Sequence, residues 1–294
     1  MHTDAVPAGD RPQNAPFRYC LNTSTVRGHA LSLPQEIEIA AKAGYRAMEI
    51  WIDELDRYVQ SGGTLRDLAA RLQDAGITVE SAIGFPEWIV EDDARRARGL
   101  EEARRNMDML AQIGCARIAA PAAGATDRAL TDISRLASRY RALLEIGERM
   151  GVTPMVEVWG FSQTLRTLAD AAAVAIAADH PQACVLADVY HLYKGGSGFH
   201  GLSLLNGAMM PLFHVNDYPA EPGPATITDA HRVYPGDGVA PLQQIFSTLY
   251  RCGFRGALSL ELFNPEYYKQ DPLQVARTGL EKTRAAAEAA IKPR

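Results

Sequence analysis

The sequence predicts an α/β protein of the (β/α)8, or TIM-barrel, class, folded as a single domain. Three observations predict it. Eight short apolar runs alternate strictly with eight longer amphipathic runs. The apolar runs start between residues 17 and 256 at a mean spacing of about 34 residues, the length of one strand–helix unit. The last four apolar runs each carry an ionisable residue near their C-terminal end, the end at which barrels of this class build their sites.

The first strand is read at residues 17–25 (FRYCLNTST), followed by an amphipathic helix at 33–44. Residues 45–51 (YRAMEIW) and 77–84 (ITVESAIG) are the second and third strands, each an apolar run too short for a helix, with helices at 64–76 and 97–114. Residues 116–122 (ARIAAPA) and 153–160 (TPMVEVWG) follow as the fourth and fifth strands, with helices at 129–151 and 164–180. The sixth strand is 183–189 (ACVLADV), and its unit is the least regular: a long loop, YHLYKGGSGFHG, leads to a short helix at 201–210. Strands at 211–217 (PLFHVND) and 256–264 (GALSLELFN) and helices at 241–253 and 271–292 complete the pattern. Gly44, Gly76, Gly114, Gly151 and Gly253 stand where helices end, the position that favours a left-handed cap. An open doubly wound sheet would place a glycine-rich phosphate turn after an early strand, and LNTSTVRGHALS contains none. Residues 1–16, polar and proline-rich, read as a disordered lead-in, and 17–294 as one catalytic barrel.

Composition narrows the function. The 294 residues are 47% hydrophobic and 22% charged, which is ordinary for a globular domain. A net charge of -5 argues against a nucleic-acid partner. No apolar run reaches the roughly 18 residues of a membrane span, and the N-terminus lacks the pattern of a signal peptide, so a soluble, cytoplasmic protein is expected. The four cysteines lie scattered in apolar contexts, without metal-ligand spacing, and read as buried free thiols.

Strand side chains alternate between faces, so a residue flanked by two apolar neighbours faces away from them. Glu157 lies between Val156 and Val158, Asp188 between Ala187 and Val189, His214 between Phe213 and Val215, and Glu261 between Leu260 and Leu262. All four therefore point into the barrel, from strands five to eight. Three carboxylates buried together repel one another strongly unless a cation joins them. Glu157, Asp188, His214 and Glu261 form a hard, oxygen-rich set suited to one divalent metal ion, Mn2+ foremost, with Mg2+, Co2+ or Zn2+ admissible. Asp188 and His191 differ by an odd number, so the strand must stop near Asp188 for both to reach one place.

The segments VEVWG, LADVYH, FHVND with the later RVYPGDG, SLELFN, and GYRAMEI around Glu49 resemble the xylose-isomerase-like sugar isomerase and epimerase superfamily, over nearly the whole chain from residue 17. The resemblance implies metal ligation by Glu157, Asp188, His214 and Glu261, and substrate contacts from His191 and Arg232. Two features depart from the hexulose epimerases of that group: the segment from His214 to Arg232 is longer, and Gln163 stands where they carry a second glutamate. What is implied is a sugar isomerase or epimerase acting on a ketose or keto-sugar, by proton abstraction next to a carbonyl through a metal-bound enediolate. Glu157 and Glu261 are the expected acid–base pair. Loss of a β-hydroxyl would instead make the protein a dehydratase of a keto-cyclitol or keto-sugar. The expected partner is a small carbohydrate or cyclitol, with a homodimer or homotetramer in keeping with similar proteins. A DNA-repair barrel of the related endonuclease type would need several metals and more ligands than seven histidines supply.

Several residues stay open at this level. Trp51, Trp88 and Trp159 can stack on a sugar or pack the core, and GFPEW (84–88) can be a lid or a turn. Glu49 reads as a rim carboxylate, an orienting group or an ion-pair partner. Asp217 and Asp237 read as hydrogen-bond acceptors or turn formers, and His200 and His231 as loop residues.

Overall fold

The structure, a computed structural model, describes residues 16–292. The expected disordered lead-in lies, but for Pro16, outside the described residues.

Eight parallel strands form one sheet: β1 (Arg18–Asn22), β2 (Ala47–Trp51), β3 (Thr78–Ile83), β4 (Arg117–Ala120), β5 (Thr153–Glu157), β6 (Val185–Asp188), β7 (Leu212–Val215) and β8 (Ala257–Leu260). Their order is β3-β2-β1-β8-β7-β6-β5-β4, so the pairing of β1 with β8 curls the sheet into a nearly closed barrel whose seam lies between β3 and β4. The expected single-domain (β/α)8 architecture is the one found.

The described residues hold nine α-helices rather than eight: α1 (Leu33–Ala43), α2 (Ile52–Gln60), α3 (Leu65–Ala75), α4 (Asp93–Gln112), α5 (Ile133–Met150), α6 (Leu168–Ala177), α7 (Val189–Gly195), α8 (Leu242–Arg251) and α9 (Pro272–Ile291). Two corrections to the sequence reading follow. The segment after β2 turns at once into α2, because the Glu54 carboxylate reaches back to the Trp51 N–H at 3.1 Å and so caps the helix entry. The helix of the sixth unit is α7, not 201–210. Asp188 itself is its N-cap, accepting from the His191 N–H at 3.0 Å, and 201–210 is spanned mostly by short 3-10 turns. Gly195 closes α7 against the preceding loop, where a Cβ would meet the Arg166 carbonyl at 2.3 Å.

The barrel interior is layered, and the layers set up the site. Cys20, Ala47, Met155, Leu186, Leu212 and Ala257 belong to one small apolar cluster at the barrel floor. Two residues further along the same strands, on the same face, stand Asn22, Glu49, Glu157, Asp188, His214 and Ser259, all buried. Alternation thus carries the inner face from hydrocarbon to polar groups within one step. Elsewhere the burial is conventional: Tyr140 of α5 gives its hydroxyl to the Pro154 carbonyl at 2.8 Å, pinning that helix to β5. Cys20, Cys115 and Cys184 are buried free thiols, whereas Cys252 is only partly covered.

Among the buried acids outside this layer, Glu36 stands apart. Glu36 of α1 is 1% exposed, and its Oε2 has no partner. Burial, and then the neighbouring Glu54 carboxylate, push it up to about 9. A carboxyl raised in this way takes up a proton on folding. Its contribution to stability is therefore fullest below the unfolded value of about 4.3 and is lost as pH climbs to about 9. Glu36→Gln, which cannot ionise, is expected to be increasingly more stable than wild type over that interval. Urea midpoints at several pH values check this, and a pH-independent difference would contradict it.

Candidate metal centre and active site

The strand register brings the polar groups together. Asp188 of β6 pairs directly with His214 of β7. The Glu261 N–H continues the ladder past β8 by donating to the Val215 carbonyl at 3.1 Å. Glu157 ends β5 opposite Leu186.

His214 is the hub. Its Nε2 lies 2.9 Å from Glu49 Oε2, an oxygen that also accepts from Ser259 Oγ at 2.7 Å and Asn22 Nδ2 at 2.9 Å. Three donors on one carboxylate oxygen fix Glu49 as the ionised acceptor and leave the proton on Nε2. Burial would raise the Glu49 carboxyl, but the His214 charge and these hydrogen bonds hold it below the usual range. His214 Nδ1 faces Glu261 Oε2 at 3.3 Å, Asp188 Oδ2 at 3.6 Å and Glu157 Oε1 at 4.0 Å, with no hydrogen-bond partner of its own. These carboxylates favour the charged ring in the metal-free protein, and a bound ion would take the place of the proton on Nδ1. Metal–ligand bonds of about 2.0–2.2 Å place neighbouring ligand atoms roughly 3–3.6 Å apart, so these donors fit a divalent ion. Asp188, His214 and Glu261 form the compact group, each offering an atom within 4.8 Å of the others, while Glu157 stands just outside it.

Arg232 changes the charge argument made from sequence. Its guanidinium is 1% exposed, and Nη1 donates to Asp188 Oδ2 at 2.9 Å and to Glu261 Oε2 at 2.8 Å. The buried carboxylates therefore already have one cation from the chain itself. Nε and Nη2 donate to Asp229 Oδ1 at 3.0 and 2.6 Å, and the group lies over the rings of Tyr190 (4.4 Å) and Phe263 (5.1 Å). The segment between His214 and Arg232 thus supplies a partner, Asp229. Gln163 is exposed, and its backbone N–H bonds the Thr126 carbonyl, so it contributes nothing to this cluster.

Environment separates the carboxylates. Burial raises Glu157 to about 8 and Glu261 to about 7, against the lowering influence of the His214 charge. Asp188 is equally buried, yet Arg232, His191 and His214 together hold it well below the ordinary range. His191, in the first turn of α7, is brought beside Asp188 by the cap, and its Nε2 lies 3.3 Å from Arg232 Nη2. Burial lowers it to about 4, so it is neutral near pH 7.

Several contributors were not assigned from sequence. Asn216 Nδ2 donates to both Asp188 oxygens at 3.2 Å, and Asn22 and Ser259 orient Glu49. Their signal was present as inward parity, but uncharged residues do not stand out in an apolar run. Asp217 proves to be a loop anchor: its carboxylate accepts the N–H groups of Tyr218, Gly236, Gly238 and Ala240 at 2.8–3.1 Å. With the backbone bridge from Asp217 to Val233, it fixes the chain next to Arg232. Asp237 pairs with Lys282, His231 closes a turn with Thr228, and His200 meets Gln244; none of the three touches the cluster.

Above the polar floor, aromatic groups form a closed circuit around the mouth. Phe263 meets Trp51, Trp51 meets Phe85, Phe85 meets Trp159, Trp159 meets Phe161, and Phe161 meets His191, with centroid separations of 4.9–6.0 Å. His191 and Arg232 close the circuit back to Phe263. Phe85 and Phe161 remain 42% and 47% exposed. Trp88 is not part of it: it is fully buried and donates to the Pro121 carbonyl at 2.8 Å, which makes GFPEW an anchored turn rather than a lid.

The inosose isomerase of Bacillus velezensis is 26% identical over 273 residues, covering 92% of this chain and 96% of that protein. The 3-dehydroshikimate dehydratase of Pseudomonas aeruginosa is 27% identical over 240 residues, 79% of this chain and 36% of that one. The crystal structure of a zinc-bound IolI protein superposes with a TM-score of 0.87 at 23% identity, covering 94% of this chain and 100% of the other, and so shares the fold. The family described as xylose isomerase-like TIM barrel matches residues 37–286, and the chain belongs to that family.

Proposed function

We propose that the protein is a divalent-metal-dependent isomerase or epimerase of a small, uncharged keto-cyclitol or keto-sugar. The observation that carries this reading is the unpartnered, buried His214 Nδ1 facing three carboxylates. Asp188, His214 and Glu261 would hold the ion, with Glu157 at its edge. When bound, the ion supplies Lewis-acid polarisation of a substrate carbonyl, which acidifies the neighbouring carbon. Mn2+ suits the oxygen-rich set, and the zinc in the similar structure makes Zn2+ the other ion to test.

The chain's own residues do the rest. Glu157 keeps an unpartnered buried Oε2, so it can take the proton from the carbon next to the carbonyl. The C–H electron pair moves towards the carbonyl oxygen, giving an enediolate. Glu261, approaching from β8 and reprotonated from solvent, would return a proton: to the same carbon for epimerisation, or to its neighbour for isomerisation, in which the hydroxyl proton of the first carbon also passes to the former carbonyl oxygen. Arg232 and neutral His191 orient the substrate oxygens. The aromatic circuit offers flat apolar faces to the C–H face of a ring, and both arginines stacked on it are already paired with carboxylates, Arg232 with Asp188, Asp229 and Glu261 and Arg27, over Trp51, with Asp53 and Glu54. A neutral ring suits this mouth better than a phosphorylated chain.

Loss of a hydroxyl from the same intermediate is the second reading, supported by the similarity to a dehydratase. Incubation with inosose in D2O, with Mn2+ present, separates the two. Deuterium gain with the carbon skeleton and its water retained supports the isomerase. Loss of one water supports the dehydratase, and no exchange with any keto-cyclitol or keto-sugar overturns both. Glu49 has a separate test: Glu49→Gln removes the charge that orients His214 and is expected to weaken Mn2+ binding about 10–100-fold. Titration calorimetry measures it, and unchanged affinity would show that Glu49 does not act through His214.

A further inference from the structure

We infer that Arg232 is an internal stand-in for the metal: its guanidinium neutralises the ligand carboxylates in the metal-free protein and competes with the ion for them. The inference rests on the metal reading above and concerns how tightly the ion is held.

Atom identity is the first argument. The oxygens of Asp188 and Glu261 that face His214 Nδ1 are Oδ2 and Oε2. These same two oxygens accept from Arg232 Nη1, at 2.9 and 2.8 Å. One nitrogen of a fixed cation therefore occupies the lone pairs that an incoming ion would use, and its charge opposes that ion at short range.

The second argument is that Arg232 has somewhere else to be held. Nε and Nη2 keep their bonds to Asp229, which is 43% exposed, and the guanidinium lies over the rings of both Tyr190 and Phe263. Trading the two inner bonds for a bound ion leaves the outer bonds and both ring contacts in place. The third argument is charge. Without Arg232, the four buried carboxylates Glu49, Glu157, Asp188 and Glu261 would face only His214, an arrangement costly to bury with no metal present. The arginine lets the barrel fold first and load later, at the expense of affinity.

The test measures binding and melting, not turnover. Mn2+ affinity of the whole protein is measured by titration calorimetry for wild type, Arg232→Met and Asp229→Asn, and melting temperatures are taken with EDTA and with saturating Mn2+. Arg232→Met is expected to bind Mn2+ about tenfold or more tightly than wild type. It is also expected to melt below wild type in EDTA, with the gap narrowing in Mn2+. Asp229→Asn removes the outer anchor, leaves Arg232 to the inner oxygens, and is expected to bind Mn2+ more weakly; this variant keeps the test decisive if Arg232→Met does not fold. Wild-type binding with Arg232→Met unchanged or weaker, or with Asp229→Asn unchanged or tighter, overturns the inference alone. A wild type that binds no divalent ion overturns the metal reading itself.

Discussion

Asp188→Ala is expected to destabilise the metal-free protein by about 3–5 kcal/mol and to abolish measurable metal binding. Four losses coincide at this residue. The Arg232 bond at 2.9 Å goes, both contacts with Asn216 Nδ2 go, and the compact ligand group loses one of its three members. The N-cap of α7 goes as well, itself worth about 1 kcal/mol, and with it the anchor that sets His191 beside the cluster. Arg232 keeps Glu261 and Asp229, so its charge is not wholly uncompensated. Asp188→Asn, which can still cap the helix, separates the two effects: it should retain part of the stability and none of the charge. The pH dependence has a definite sign. Asp188 is held below its ordinary value in the fold, so its stabilisation is complete above the unfolded value of about 3.9 and is lost only as pH falls further. The deficit of the Ala variant should therefore be full at neutral pH and shrink in acid. Urea unfolding in EDTA measures it, and a deficit under about 1 kcal/mol at neutral pH would mean that the Arg232–Asp188 pair is not stabilising.

Glu157→Gln is the second large effect, and it falls on chemistry rather than stability. The residue stands outside the compact ligand group, 4.0 Å from His214 Nδ1. Its Oε2 is buried without a partner, and burial has raised it to about 8, close to the range in which a group exchanges protons at neutral pH. Glutamine fills the same space, cannot take a proton, and removes the carboxyl that burial raises furthest within the cluster. Turnover and solvent deuterium uptake are expected to fall by about 10^2–10^4-fold, while the variant stays folded and keeps much of its Mn2+ affinity. Asp188→Ala should show the reverse order, with metal binding lost first. If Glu157→Gln retains activity within a few-fold of wild type, the base lies elsewhere, and Glu261 is the next residue to test.

Much of this site is written in the sequence because parity along a strand is local. A glutamate between two valines in a barrel strand must face inward, and so must Asp188, His214 and Glu261, whatever the rest of the chain does. The same rule marks Asn22, Glu49 and Ser259, which share their faces with the floor residues Cys20, Ala47 and Ala257. The sequence reading was less sure where local signals compete. The short helices α2 and α7 follow their strands without a linker, so the strand pattern runs into the helix pattern with no break to separate them. Trp88 and Trp159 looked alike from sequence, and only the fold sends one to the Pro121 carbonyl and the other to the rim.

The sequence by itself determined the barrel, the inward direction of its polar residues and the end of the barrel at which they collect, because strand period and unit length are properties of neighbours along the chain. Tertiary structure alone decided which atoms meet. Glu49 reaches His214 across 165 positions because β1 and β8 pair and close the sheet. Arg232 reaches Asp188 and Glu261 because Asp217 ties down the backbone beside it. Partnerships of this kind depend on the angle between strands around a closed ring, and no local pattern encodes that angle.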